Sequence, residues 1–222
     1  MSTELFDPIK TQSKITDSVI VMFSGGKESV VVLDLCKRYF KNVEACFLYI
    51  VPNLSFEEKT MRWYEEKYDI QIRRIPHPQA TTYLHYGFFT AYDPYFPIIS
   101  SNDVSDYLRG ETGIKWIAGG ERIADSMWRR GFMKKSGSID YQRGRIYPIS
   151  EWLKKDVLDY IKFHKLYLGA DSRKLGYSWR SLQGDELVKI KYYFPEDYER
   201  ILHLYPMAEA EVIKEEMKDG KK

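Results

Sequence analysis

Six consecutive residues, Ser24-Gly25-Gly26-Lys27-Glu28-Ser29, bring together two hydroxyls, two glycines, an ammonium and a carboxylate. Adjacent glycines let the backbone approach a ligand closely. Where such a turn opens a helix, unpaired N–H groups and a partial positive charge gather at the same point. Lys27 adds a full charge, and Ser24 and Ser29 add hydroxyl donors. The chemistry these residues suit is the cradling of a phosphate or sulfate. A second glycine pair opens the stretch from Gly119 and Gly120 through Glu121, Arg122, Asp125, Ser126, Arg129 and Arg130. If residues 121–130 are helical, Arg122, Ser126 and Arg129 fall on one face. Guanidinium groups there would grip phosphate or sulfate oxygens bidentately. Taken alone, this second stretch reads more readily as a solvated basic helix face.

To act, each glycine turn must be held between a strand and a helix. Residues 19–23 form an apolar run that, with Ser18, predicts the first strand before the turn, and an amphipathic stretch follows to Tyr39. Residues 45–51 are continuously apolar, which fits a strand buried on both faces of a parallel sheet. Ser55, with Glu58 three residues on, predicts a capping box opening a helix to about Tyr68. Residues 70–75 alternate as a third strand, stopped by Pro76-His77-Pro78. Residues 115–118 and 145–149 predict the fourth and fifth strands, and Ser150 is expected to cap a helix reaching Phe163. Strands separated by such helices indicate right-handed crossovers. The fold class expected is α/β, a parallel five-stranded sheet flanked by helices with a helical C-terminal appendage. Its divisions are an arm at 1–14, an α/β domain at 15–180 and a helical extension at 181–222.

The 222 residues carry a net charge of +2. That charge is unevenly placed. Residues 122–145 hold seven basic side chains against Asp125 and Asp140, or +5, leaving −3 on the rest. A local positive field favours an anionic ligand. Lys134, Lys135, Arg143 and Arg145 are expected in a flexible lid or partner surface. No apolar run approaches the roughly 20 residues of a membrane span, and the N-terminus has no signal-like apolar core. The two cysteines, Cys36 and Cys46, match no metal or redox spacing and read as buried free thiols of a cytoplasmic protein. His77 reads as a turn histidine near the presumed cleft. His85, His164 and His203 are scattered, and Ser24 has no recognisable triad partner.

The first loop is not a Walker A sequence, which needs glycine where Val21 stands, and it lacks the third Rossmann glycine, where Ser29 stands. Five of its six positions fit the Ser-Gly-Gly-x-Asp-Ser pyrophosphate loop of the adenine nucleotide alpha hydrolase-like superfamily, Glu28 replacing the aspartate. Gly120, Arg122, Ser126 and Arg129 match that superfamily's second, arginine-rich turn. Residues 148–161, including Pro148, Trp152, Asp156 and Tyr160, are similar to a further signature. Over roughly residues 15–180 the chain therefore resembles the phosphoadenosine phosphosulfate (PAPS) reductase and sulfate adenylyltransferase small-subunit family.

The resemblance implies ATP, or PAPS or adenylyl sulfate, held by Ser24, Gly25, Gly26, Lys27, Glu28, Ser29, Tyr49, Gly119, Gly120, Arg122, Ser126, Arg129 and Arg130. Lys27, Arg122 and Arg129 would be catalytic, and Glu28 would orient a magnesium ion. The chemistry expected is cleavage of ATP between its α and β phosphates, with transfer of the adenylyl group to an oxyanion acceptor and release of pyrophosphate. The alternatives are binding of PAPS or adenylyl sulfate without reduction, or a partner-dependent subunit in sulfur metabolism or nucleic-acid modification. The family's late nucleophilic cysteine is missing, since no cysteine follows Cys46. Neither thiol-dependent reduction nor an iron–sulfur cluster is expected. A protein partner, or self-association through the C-terminal helices, is a further expectation. Nucleic acid is compatible with the basic stretch, though no dedicated motif supports it.

Overall fold

The computed structural model describes residues 6–219. Its sheet has six strands in the order β3-β2-β1-β4-β6-β5. β1 (Ser18–Met22) is central, parallel to β2 (Asn42–Tyr49) on one side and to β4 (Ile117–Ala118) on the other. β3 (Ile72–Pro76) extends the first side, and β6 (Arg145–Ile146) lies parallel beyond β4. The sixth strand, β5 (Ile139–Asp140), pairs antiparallel with β6 at the edge. It was not legible as a strand because two residues carry no alternation to detect.

The chain runs β1, β2, β3 in one direction, then returns across β1 to lay down β4. The strand order therefore reverses between β1 and β4, where open α/β sheets bind their ligands. Both glycine turns leave the sheet at this point.

Alternate β1 residues serve opposite faces. Val19 and Val21 join the larger core with Leu33, Met61, Tyr64, Trp152 and Tyr160. That core is covered by α1 (Asp7–Ser13), α2 (Lys27–Tyr39), α3 (Ser55–Tyr68) and α7 (Lys154–Phe163). The expected N-terminal arm is thus partly a helix, with Ile9 and Gln12 fully buried. On the other face Ile20 and Cys46 meet Val104 and Leu108 of α5 (Ser101–Thr112). Between β3 and α5 lies α4 (Pro78–Tyr86). α6 (Met127–Ser136) and the β5–β6 hairpin occupy the segment expected to be a flexible lid, and Arg145 there donates to Ser105 Oγ at 2.6 Å.

A third cluster joins the loop after β2 to the C-terminal helices: α8 (Ala170–Leu175), α9 (Gly184–Tyr193), α10 (Pro195–Leu204) and α11 (Glu209–Asp219). Leu187, Ile190, Ile201, Tyr205 and Val212 bury their side chains in it. These side chains are thereby used within the chain, while Tyr192, Ile213 and Met217 of the same helices are exposed.

Two capping expectations are corrected. Ser55 is the first residue of α3 and does not cap it. Its N–H and Oγ both donate to Asp197 of α10, at 2.8 and 2.6 Å, so the cap comes from the far end of the sequence. Ser150 precedes a turn, and α7 opens after Leu153, whose N–H donates to Asp156 at 2.8 Å.

Asp34, 1% exposed, ties α2 to its neighbours. It accepts from Arg38 Nε at 2.6 Å, from Tyr160 Oη at 2.6 Å and from Tyr68 Oη. Burial would raise this carboxyl, but those hydrogen bonds and the Arg38 charge together hold it below its ordinary value. Asp34→Ala leaves three polar groups without their acceptor and should cost about 3 kcal/mol in urea denaturation at pH 7. A depressed carboxyl contributes stability above its unfolded pKa of 3.8, lost as pH falls through the folded value. The difference between wild type and variant should therefore shrink in acid. A constant difference from pH 7 to pH 3 would contradict this account.

Candidate functional site

Beyond the carboxyl ends of β1, β2 and β4 opens a cavity of about 810 Å³, within the range of about 300–1,000 Å³ usual for small-molecule sites. Its lining has two chemistries. Met22, Phe23, Phe47, Leu48 and Ile50 are apolar, while Lys27, Arg122, Arg129 and Arg180 bring cations.

The first turn is braced from within. Gly25 has φ +70°, a left-handed conformation that favours glycine. Gly26 is required by a close approach, because a Cβ there would lie 2.9 Å from Ser178 Oγ. Ser29, only 4% exposed, donates to the Gly26 carbonyl at 3.0 Å and accepts from the Ser24 N–H and Ser24 Oγ, both at 3.1 Å. Its single hydroxyl proton is therefore spent on the loop. Ser29 shapes the turn, and Ser24, which is exposed and lines the cavity, donates its hydroxyl to it. α2 begins at Lys27 without a side-chain cap, so the N–H groups of its first turn are left to the cavity side.

The second turn departs from the expected helix. Residues 119–122 are extended or irregular, Ile123–Asp125 is a single 3₁₀ turn, and α6 begins only at Met127. Ser126, at φ −162°, caps α6 by accepting the Arg129 N–H at 3.1 Å. Arg122 and Arg129 still converge, but through a carboxylate. Asp125 holds Arg122 Nη2 at 2.6 Å and Arg129 Nη1 at 2.7 Å. Helical spacing had suggested the right partners for a different reason.

Glu28 joins the two turns. Its Oε1 lies 3.1 Å from Lys27 Nζ and 3.1 Å from Arg122 Nη2. Gly120 packs so closely that a Cβ would meet Glu28 Cβ at 3.1 Å. Three cations thus face two carboxylates, leaving one positive charge in excess. Arg122 is 6% exposed, and its Nε has no partner among the described residues.

Of the expected site residues, Ser24, Gly26, Lys27, Glu28, Ser29, Gly119, Gly120, Arg122, Ser126 and Arg129 line the cavity. Gly25 lines a small adjoining void. Tyr49 and Arg130 line neither. Tyr49, at the end of β2 opposite Pro76, packs against the core, and Arg130 is exposed on α6. Glu28, where magnesium was expected, is paired here with Lys27 and Arg122. Among the described residues no three carboxylates, histidines or thiols converge on a metal position. His77 lines the cavity and caps α4, accepting the Gln79 N–H at 3.0 Å on Nδ1; burial lowers its pKa and keeps it neutral.

Four contributors escaped the sequence reading. Ser178, Trp179 and Arg180 come from the segment after α8, read only as a loop. Glu57, in the first turn of α3, is 8% exposed and also lines the cavity. Burial, then the charges of Asp171, Asp197 and Glu58, push its carboxyl well above the ordinary value. Only the turn signal of Gly176 and the acidic pair at the start of α3 hinted at these positions.

A family model described as the phosphoadenosine phosphosulfate reductase domain matches residues 18–169. PAPS reductase from Candida auris, in a phosphate complex, has a similar fold, with a TM-score of 0.51 and 15% identity over 82% of this chain and 95% of that one. U34-tRNA thiolase NcsA from Methanococcus maripaludis, solved with its 4Fe-4S cluster, gives 0.50 and 15% over 92% and 79%. NH3-dependent NAD synthetase from Campylobacter jejuni, with a nitrate ion, gives 0.48 and 18% over 97% and 93%. At these identities the likeness is one of fold. No curated protein matches the chain, and no helix among the described residues is long and apolar enough to cross a membrane.

The buried Glu57 carboxyl makes a stability prediction. Its folded pKa lies above the unfolded value near 4.5. As pH rises past that value the unfolded chain ionises first, so stability is lost as pH rises toward the folded pKa. Glu57→Gln has no proton to lose. Its unfolding free energy relative to wild type, measured by urea denaturation, should climb between pH 5 and pH 8, by at most about 1.4 kcal/mol per pH unit. An equal difference at both pH values would contradict the assignment.

Proposed function

We propose that this chain, which belongs to the phosphoadenosine phosphosulfate reductase domain family, binds ATP in the cavity and cleaves it between the α and β phosphates. An acceptor oxyanion attacks the α-phosphorus, the bridging bond to the β-phosphate breaks, and pyrophosphate leaves with the electron pair. The adenylyl group passes to the acceptor.

The observation that carries this reading is the convergence of two glycine turns, with Lys27, Arg122 and Arg129, on one cavity at the strand-order switch. Phosphoryl and adenylyl transfers need positioning and charge stabilisation more than a protein nucleophile. First-turn N–H groups and Lys27 would take the β and γ phosphates. Arg122 and Arg129 would meet charge that develops at the α-phosphate as the bond breaks. The apolar wall of Met22, Phe47 and Leu48 suits the adenine ring. Binding a polyanion would also draw Lys27 and Arg129 away from Glu28 and Asp125, exchanging internal ion pairs for ligand contacts.

Thiol chemistry is a poor match. Cys46 lines the cavity, but burial pushes its thiol up to about 12. It is therefore not a thiolate near neutral pH, and the thiolate is the nucleophilic form. That argues against reduction of a sulfonucleotide and leaves binding without reduction as the second reading.

Calorimetry with ATP, adenylyl sulfate and PAPS, paired with a pyrophosphate-release assay, separates these readings. The account expects ATP binding and acceptor-dependent pyrophosphate. Tight PAPS binding with no turnover of ATP would overturn it in favour of the second. Lys27→Ala should weaken nucleotide binding by roughly 10- to 100-fold, the loss of a charge-assisted contact of about 1.5–3 kcal/mol. Unchanged affinity would remove the loop assignment.

A further inference from the structure

Lys27, Arg122 and Arg129 on the cavity wall are each matched to Glu28 or Asp125. Arg180 lines the same wall and is not matched. It is exposed, and among the described residues no carboxylate pairs with its guanidinium. The adenylyl transfer described above gives it no task.

Its place is nevertheless fixed. Arg180 lies in the segment between α8 and α9, where the Trp179 N–H donates to Asp171 Oδ2 at 3.1 Å and the Arg180 N–H to Glu186 Oε2 at 3.4 Å. Trp179 is 5% exposed and meets Phe56 edge to face, with ring centroids 6.4 Å apart. The guanidinium rests 5.7 Å from the centre of the Tyr177 ring, within cation–π reach. These contacts set where the charge stands without neutralising it.

The same segment touches the first glycine turn. A Cβ on Gly26 would lie 2.9 Å from Ser178 Oγ, so that hydroxyl sits against the turn. The second turn meets the first at a different point, where Gly120 packs on Glu28 and the Ser29 backbone nitrogen. Arg122 therefore flanks the phosphate turn at Glu28, and Ser178 flanks it at Gly26 with Arg180 two residues on. Each side chain of this segment brings a donor to the cavity lining: a hydroxyl from Ser178, a guanidinium from Arg180, and from Trp179 an indole N–H that has no acceptor among the described residues. Donors grouped beside a phosphate turn suit anionic oxygen.

We propose that Arg180, with the Ser178 hydroxyl, holds the terminal phosphate of the nucleotide and so selects a triphosphate over its shorter forms. The proposal rests on the nucleotide reading of the cavity. With adenine against Met22, Phe47 and Leu48 and the α-phosphate facing Arg122 and Arg129, the phosphate chain runs along the first turn towards Gly26. Its terminal phosphate, the most highly charged group of the ligand, then arrives at the cation that no carboxylate occupies. A guanidinium meets phosphate bidentately, which gives the contact geometric selectivity as well as charge. Both residues lie beyond residues 18–169, the stretch that the family model matches.

The test measures by calorimetry the affinities of the full chain for α,β-methylene-ADP and α,β-methylene-ATP, at one salt and magnesium concentration. Wild type should prefer the triphosphate. Arg180→Ala should lose roughly 10-fold of that preference, the worth of a charge-assisted contact, and bind the diphosphate as wild type does. Arg180→Lys should keep part of the preference, and Ser178→Ala should lose a smaller part. Lys27→Ala should weaken both nucleotides. AMP and adenosine 3′,5′-bisphosphate form a second pair, whose affinity ratio should be the same in wild type and Arg180→Ala. A triphosphate preference that survives Arg180→Ala overturns the proposal, as does an equal weakening of both methylene analogues. A loss confined to the 3′-phosphate pair would assign Arg180 to that phosphate and overturn it too. Wild type that binds both analogues without preference also overturns it, whereas wild type that binds neither overturns the nucleotide reading itself.

Discussion

The contact on which the site depends is the meeting of two turns that leave adjacent strands, β1 and β4, on either side of the reversal in strand order. Glu28 from the first turn pairs with Arg122 from the second at 3.1 Å, and Gly120 has no side chain to hold the backbones apart. Arg122 is almost entirely buried, so the pair forms where solvent screens little, and Asp125 holds the same guanidinium nitrogen at 2.6 Å. Asp125 extends the chain of charges to Arg129. Lys27, Arg122 and Arg129 are thus gathered around one space by Glu28 and Asp125.

Around this contact the rest of the molecule acts as support. The parallel strands set the height of both turns, and the Ser29 hydroxyl stitches the first turn closed. Less expected is the contribution of the C-terminal quarter. The segment after α8 brings Ser178 against Gly26 and places Arg180 on the cavity wall. α10 caps α3 through Asp197, and Tyr205 donates to the Ile50 carbonyl at 3.3 Å. The expected appendage at 181–222 braces α3 and the loop after β2, while the cavity wall itself comes from residues 178–180 just before it.

The parts of the fold legible in the sequence were those with local signals. The continuous apolar run of β2, the glycine pairs and the order of strands and helices all announced an α/β sheet with two ligand-facing turns. Features set by distant contacts were not legible. Ser55 looked like a cap because Ser, followed by Glu58, is a capping pattern; tertiary packing instead brings Asp197 to the Ser55 N–H and hydroxyl, while the Glu58 N–H goes to the Leu54 carbonyl. Arg122, Ser126 and Arg129 looked like one helical face, yet the helix starts at Met127 and a carboxylate gathers the arginines instead. Glu28 looked like a metal ligand by analogy with aspartate at that position. In the folded chain it pairs with Lys27 and Arg122. Glu57 and Arg180 carried no specific signal, since the cavity they share is a property of the folded chain.

The most direct test of the two-turn site is a crystal structure of the full chain with α,β-methylene-ATP. The account predicts the phosphates on the N–H groups of residues 24–29, with Lys27 swung from Glu28 onto phosphate oxygen and the adenine ring against Met22, Phe47 and Leu48. Phosphates seated elsewhere, with the Lys27–Glu28 and Arg129–Asp125 pairs left as they are, would contradict it.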